Sequence, residues 1–407
     1  MNRTQLRESL ERHLGPFKLD HLLEELEGLD ERALKEFMSK TETLSLELFL
    51  RQKRALNGEK EPLFLSPWLE VEREETLSTE KKERGRALIE SGKVACVILA
   101  GGQGSRLGWH GPKALYPLFP ESGCTLLDIF MQKILATSTK YQRDFSVAIM
   151  TSPLNRQSIE EYLVAKNFYG LSKERILLFE QDMMPLLDEE GKWFLDRPGS
   201  IAMGPSGNGG VFSHLMRSHI VEKWKGIGIE TVMVIPIDNP LAEPFDAHLV
   251  GSLGEGDIAL RCIERLDSHE LIGVFAKKEG KLCVAEYFEL TPAVREAVDD
   301  LGAFLFPYGN INIFSFSMKF IEQIATLELP LHIAKKKGVV WRRGEIPVSK
   351  CETFLFDVLP YAKSAYLLLC SRNTNYAPLK SREGSKDPAS VRRAVSSNLA
   401  SIGSIVL

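Results

Sequence analysis

A chain of 407 residues, 44% hydrophobic and 26% charged, has the composition of an ordinary globular protein with a large central domain and one or two appendages. Its formal charge of -4 gives no global attraction for nucleic acid or an anionic membrane, so any phosphate binding must be local. The longest apolar runs, Val94 to Ala100 and Ala365 to Cys370, are far shorter than a membrane span, and the polar start lacks a signal-peptide core, so a cytoplasmic protein is expected.

In chain order, Leu6, Leu10 and Leu14, then Leu22, Leu23, Leu26 and Leu29, recur at helical spacing among many charges, which predicts an N-terminal helical segment over residues 1–90. The charge run from Glu70 to Arg86 mixes signs and reads as the solvated face of a helix. Short β-type runs follow at Val94 to Leu99, Phe145 to Met150, Thr231 to Ile237, Ile258 to Cys262 and Gly273 to Ala276, alternating with helical stretches such as Val211 to Trp224. The alternation predicts an α/β domain over residues 91–360 with a mostly parallel sheet and ligands at the carboxyl ends of its strands. Residues 361–407 form a short C-terminal segment ending in a small-residue tail from Ser396. Six cysteines without CxxC pairs argue against a zinc site or a disulfide framework.

The first strand empties into Leu99-Ala100-Gly101-Gly102-Gln103-Gly104-Ser105-Arg106-Leu107-Gly108, closed by Pro112-Lys113. Neither a P-loop nor a dinucleotide spacing is present. Bare backbone N–H groups with Arg106 and Lys113 nevertheless suit a triphosphate and a departing pyrophosphate, where a plain glycine turn needs no such cations. A second cluster, Gly204-Pro205-Ser206-Gly207-Asn208-Gly209-Gly210, offers close backbone approach and the amide of Asn208, or simply caps a helix. The apolar strand Val232 to Ile237 delivers Asp238 at its carboxyl end, a candidate ligand for Mg²⁺, with a strand-terminal Asx turn as the alternative. Glu286 and Asn310 adjoin apolar runs and suit hydroxyl or amide recognition, though a surface carboxylate and a turn asparagine are equally ordinary. Lys350 and Lys380 flank the strand-like run Phe354 to Val358.

Taken together, these segments resemble the eukaryotic-type UDP-sugar pyrophosphorylase family (UDPGP type 1), most of all its UDP-N-acetylglucosamine pyrophosphorylase branch. The matching stretches are LAGGQGSRLG…PK, MTSP at 150–153, FEQDMMP at 179–185, PSGNGG, IDN, AEYFEL, GNIN, HIAKKK at 332–337, ETFLFDVLPYA at 352–362 and YAPLK at 376–380 with its trailing KDP. They span roughly Val94 to Arg393. The resemblance implies a GT-A, Rossmann-like nucleotidyltransferase core. It also implies that Leu99, Ala100, Gly101 and Gly102 contact the uracil and ribose of UTP, that Gln181 and Gly207 complete the uridine pocket, and that Arg106 and Lys113 face the triphosphate. Asn208, Gly273, Glu286 and Asn310 would line the sugar pocket, Asp238 would bind the metal, and Lys350 and Lys380 would reach the phosphates. Two motifs depart from the family beside the sugar. Its GNIxNH pattern becomes Gly309-Asn310-Ile311-Asn312-Ile313-Phe314, and its EYSE-type motif reads Glu286-Tyr287-Phe288-Glu289.

The expected activity is uridylyl transfer from UTP to a hexose 1-phosphate, with N-acetylglucosamine 1-phosphate as acceptor and glucose 1-phosphate as the alternative. Two other classes stay in view. A UDP-sugar-dependent glycosyltransferase would want a DxD-type metal motif, which Asp238-Asn239-Pro240 lacks. A non-catalytic nucleotide-sugar sensor would not need the full set Arg106, Lys113 and Asp238.

Overall fold

In the computed structural model, which describes residues 3–17, 19–27, 29–41, 44–58 and 64–398, the apolar run Val94–Leu99 is a strand buried along its whole length. A strand covered on both faces has no need to alternate polar and apolar side chains. Each of its valine, isoleucine and leucine side chains contributes about 1.5–3 kcal/mol by leaving water.

Among the described residues this strand belongs to an eleven-stranded sheet. Its main path runs Glu72–Arg73, Ala365–Leu369, Ile258–Glu264, Tyr308–Ser317, Thr231–Pro236, Val94–Leu99, Val147–Thr151 and Ile176–Glu180. Pairing along the path is parallel except on both sides of Tyr308–Ser317, which runs antiparallel to its two neighbours. The sheet is therefore mixed and mostly parallel, as the alternation predicted. The hairpin Val274–Lys278 and Lys281–Ala285 extends it beside Gly309. The Leu126–Tyr141 helix starts on a capping box between Thr125 and Asp128 and sinks Leu127, Phe130, Met131 and Ile134 into the core that also holds Val94, Cys96 and Ile98.

The chain packs into two compact units whose boundaries cut across the linear segments expected from sequence. One gathers residues 1–62, 182–209 and 329–354; the other gathers 63–181, 210–328 and 355–407 and contains the large sheet. The predicted N-terminal helical segment is thus divided. Helices Arg3–Leu14, Glu31–Thr41 and Leu46–Asn57 belong to the first unit. Their Leu10, Leu14, Phe37 and Phe49 share a core with Trp193, Leu195, Ile201 and Cys351. The Gln52 side chain is buried there, donating to Pro185 O at 2.8 Å and accepting from Trp193 Nε1 at 2.8 Å.

Four local expectations need correction. The charge run from Glu70 contains the edge strand Glu72–Arg73, and the helix after it, Thr79–Glu90, does not simply face water. A Cβ at Gly85 would lie 1.8 Å from Ala247 O, so this helix crosses Ala247–Leu253 at backbone contact. The helical stretch Val211 to Trp224 is two helices, Val211–Arg217 and Ile220–Gly226, broken where His219 takes a φ of 54°. The run Phe354 to Val358 is no strand; Leu355–Tyr361 forms a 3-10 turn whose buried faces are Leu355, Phe356, Val358 and Leu359. Finally, helix Pro388–Ser397 runs into what reads as a tail, while residues 399–407 lie outside the described residues. All six cysteines are free, five of them buried. Among the described residues no helix is long and apolar enough to cross a membrane.

Candidate active site

Four neighbouring parallel strands deliver the candidate residues to one edge of the sheet. Leu99 pairs with both Pro236 and Met150, and Thr151 pairs with Glu180, so the four strands end level. Just past those ends come Gly101, Asp238, Asn155 and Gln181. This is the carboxyl edge at which open α/β sheets bind ligands.

The glycine loop is shaped by backbone bonds. Gly104 N donates to Gly111 O at 3.0 Å and Lys113 N donates to Gly102 O at 3.1 Å, which folds the loop back on itself. Ala100 N donates to Met150 O at 2.8 Å, tying the loop's start to the adjacent strand. The N–H groups of Gly101, Gly102 and Gln103 make no hydrogen bond among the described residues. Consecutive free amides of this kind form an anion-binding concavity. A Cβ at Gly101 would sit 1.9 Å from Gln181 Nε2, whereas a Cβ at Gly102 meets nothing within 4 Å. Gly101 is therefore glycine because Gln181 packs on it, and Gly102 faces open space. Arg106 lies exposed on the short turn Ser105–Leu107.

Beside this loop, Lys113, Asp238 and Lys380 form a charged cluster. Lys380 Nζ donates to Asp238 Oδ2 at 2.7 Å, and Lys113 Nζ lies 3.6 Å from the same oxygen. Asp238 is 13% and Lys113 16% exposed. Asp238 Oδ1 is buried with no hydrogen-bond partner among the described residues. Burial would raise the Asp238 pKa, but Lys380 and Lys113 outweigh it and hold the carboxyl below its ordinary range. Burial pushes the Lys113 ammonium down; Asp238 opposes this, and the neighbouring Lys380 and Arg106 add to it. The cluster thus carries two cations to one carboxylate and presents one unsatisfied acceptor.

Sequence reading missed the residue that holds Lys380 in place. Asn239 accepts from Ala377 N at 3.0 Å and donates to Asn375 O at 2.8 Å, and Leu379 N donates to Asp238 O at 2.7 Å. Through these bonds the strand end clasps residues 375–379. The position of Asn239 directly after Asp238 was the available signal.

A second group in the same unit joins Gly273, Glu286 and Asn310. A Cβ at Gly273 would meet Glu286 Oε1 at 3.1 Å, and Asn310 N donates to Gly273 O at 2.8 Å. Asn310 stands in the long central strand, not in a turn. Its side chain exchanges two hydrogen bonds with Asn312, Nδ2 to Oδ1 and Asn312 N to Oδ1, each 3.0 Å. Asn312 has a φ of 57°, at a register shift between the two strands. The second asparagine of this chain's altered motif therefore orients the first.

Gly207, Asn208 and Lys350 belong to the other unit. Gly207 has a φ of 90°, and a Cβ there would lie 2.3 Å from Thr353 O, so the turn admits only glycine. Thr353 N donates to Ser206 O at 2.8 Å and Gly209 N donates to Thr353 O at 3.0 Å, fixing the turn that carries half-buried Asn208. Lys350 pairs with Glu352 at 2.5 Å, its stem packed on Gly204.

Comparison with known proteins gives these arrangements a context. The family model described as UTP–glucose-1-phosphate uridylyltransferase matches residues 43–384. A protein of Xenopus tropicalis called UDP-N-acetylhexosamine pyrophosphorylase-like protein 1 is 32% identical over 406 residues, covering 94% of this chain and 79% of that one. UDP-N-acetylglucosamine diphosphorylase 2 of Arabidopsis thaliana is 30% identical over 332 residues; 76% of this chain is aligned, which spans 66% of that protein's length. The crystal structure of uridine diphosphate N-acetylglucosamine pyrophosphorylase from Trypanosoma brucei superposes with a TM-score of 0.81 at 23% identity, covering 97% of this chain and 85% of that chain, which is a likeness of fold.

Proposed function

Since this chain belongs to the UTP–glucose-1-phosphate uridylyltransferase family, we propose that it transfers a uridylyl group from UTP to a hexose 1-phosphate, releasing pyrophosphate. A phosphate oxygen of the sugar phosphate attacks the α-phosphorus of UTP in line. The bond from that phosphorus to the oxygen bridging it to the β-phosphorus breaks as the new bond forms, and pyrophosphate departs with the electron pair. The attacking group is already an anion, so no protein nucleophile or base is required. Catalysis reduces to alignment and neutralisation of charge.

The observation that carries this reading is the pairing of free loop amides with a cluster of two lysines around one carboxylate. Gly101, Gly102 and Gln103 offer N–H donors to the nucleotide, and Lys113 and Lys380 offer positive charge to the phosphates as pyrophosphate leaves. Asp238 Oδ1, a hard oxygen without a partner, fits Mg²⁺, an ion that takes one or two protein carboxylates and completes its shell with phosphate oxygens. Among the described residues no group of three or more potential ligands exists, which suits an ion arriving with the nucleotide. Bound there, it would supply further neutralisation of the triphosphate charge.

For the acceptor we infer N-acetylglucosamine 1-phosphate, because the name of the Arabidopsis thaliana relative carries that sugar and the name of the Xenopus tropicalis relative carries the wider class of N-acetylhexosamines. Glucose 1-phosphate is the second reading, favoured by the description of the family model itself. Incubating the protein with UTP, Mg²⁺ and a panel of hexose 1-phosphates, with pyrophosphate release as the readout, tests both. Release with N-acetylglucosamine 1-phosphate is expected. No release with any sugar phosphate overturns the reaction, and release with glucose 1-phosphate alone overturns the acceptor.

A further inference from the structure

Asn155 lies outside the recognised motifs, yet it is 1% exposed and its side-chain amide nitrogen reaches the glycine loop. Its Oδ1 accepts from Ser152 N at 2.8 Å. Its Nδ2 donates to Ala100 O at 3.0 Å and to Gly102 O at 3.4 Å. Two alternate carbonyls of the glycine loop are thereby drawn to one amide. Successive peptide groups flanking a fixed carbonyl have little freedom to turn, so the intervening N–H groups keep one orientation. The Gly101, Gly102 and Gln103 amides, which flank those carbonyls, make no hydrogen bond among the described residues. We propose that Asn155 is the positioning residue of the glycine loop: by engaging its carbonyls from behind, it presets the loop amides for an anionic ligand before that ligand arrives.

The alternative role is local, since Asn155 also precedes helix Arg156–Ala165 and closes the Ser152 turn. Asn155→Asp separates the two. Aspartate keeps the acceptor for Ser152 N and favours a helix N-terminus, but loses the donor to the loop carbonyls. If Asn155 only closes the turn, Asn155→Asp behaves as the parent protein and Asn155→Ala alone is impaired. If it presets the loop, both variants lose loop order, and Asn155→Asp is the more affected.

The inference rests on the uridylyl-transfer reading only in its use of UTP as the probe, and two measurements keep the two apart. Hydrogen exchange by mass spectrometry on the full-length, ligand-free protein reads the protection of the Gly104 and Lys113 amides, which close the loop. It is expected to fall at least several-fold in Asn155→Asp while the sheet strands keep theirs. Calorimetric UTP binding is expected to weaken about tenfold or more in the same variant. Unchanged loop protection in Asn155→Asp overturns the positioning role whatever the enzyme's activity. Lost protection in a protein that turns over no sugar phosphate upholds it and removes only the reaction.

Discussion

Two clusters of carboxylates and cations sit on the same sheet, and they differ in a way that separates support from chemistry. Around Arg261, every partner is satisfied. The guanidinium forks onto Glu74 at 2.9 and 2.7 Å, its Nε donates to Asp246, Asp246 caps the Ala247–Leu253 helix, and His248 shares a 2.8 Å bond with Glu74. Around Asp238, two lysines converge on one oxygen while the other has no partner. A buried network that closes on itself holds elements together; one with surplus positive charge and an idle acceptor is incomplete until a ligand supplies what is missing.

The sharpest way to break this contrast is Lys113→Ala. It should lower kcat/KM for UTP by about 10²–10³-fold, as loss of one preorganised charge partner does elsewhere, with a melting temperature close to that of the parent. Lys380 still balances Asp238 in this variant, so stability has little reason to fall. Near-normal turnover would remove Lys113 from the site.

Glu74 should behave in the opposite sense. Its carboxyl titrates at about 2: burial pulls upward, and hydrogen bonds from His248 and Arg261 overcome it. A group depressed on folding stabilises the protein above its unfolded value near 4.5 and loses that contribution as pH falls through the folded one. This carboxylate should contribute on the order of 3 kcal/mol at neutral pH, fading between about pH 5 and 2. Glu74→Gln should lower the melting temperature at pH 7, flatten its acid dependence and leave nucleotide KM unchanged. A changed KM would show that the closed network is not merely supporting.

The smallest effects come from the loop. Gly101→Ala places a methyl against Gln181 Nε2, the free end of a side chain, so Gln181 must swing aside at about 1–2 kcal/mol of binding or stability. Gly102→Ala meets no atom of the protein, and its effect should appear only in nucleotide affinity. Titrating both variants with UTP and melting each without it checks the distinction.

How far these features could be read beforehand depended on whether the signal lay in one segment. The strands Val94–Leu99 and Thr231–Pro236, the glycine loop and Asp238 each announce themselves by local pattern. Lys380 stood out only with the whole motif set, because a lone lysine is usually solvated. Asn155 and Asn239 act through backbone carbonyls and amides far away in sequence; only Asn239 has a local signal, its place directly after Asp238, and nothing adjacent marks Asn155. The antiparallel Tyr308–Ser317 strand was missed as an element because its polar Asn310 and Asn312 interrupt the apolar pattern at the very place where the register shifts. Leu355–Tyr361 has a strand's composition but forms a 3-10 turn, and its Pro360 has no N–H to give a strand ladder.

The first unit draws its core from three stretches separated by more than a hundred residues each. During synthesis the helices over residues 3–57 emerge long before Trp193, and Cys351 of the same core comes last. Until then their leucines wait with their final partners unmade, a long-range closure of the kind that slows folding and invites association. Ribosome-bound chains halted before residue 329 should accordingly show greater demand for chaperones than chains released past residue 354.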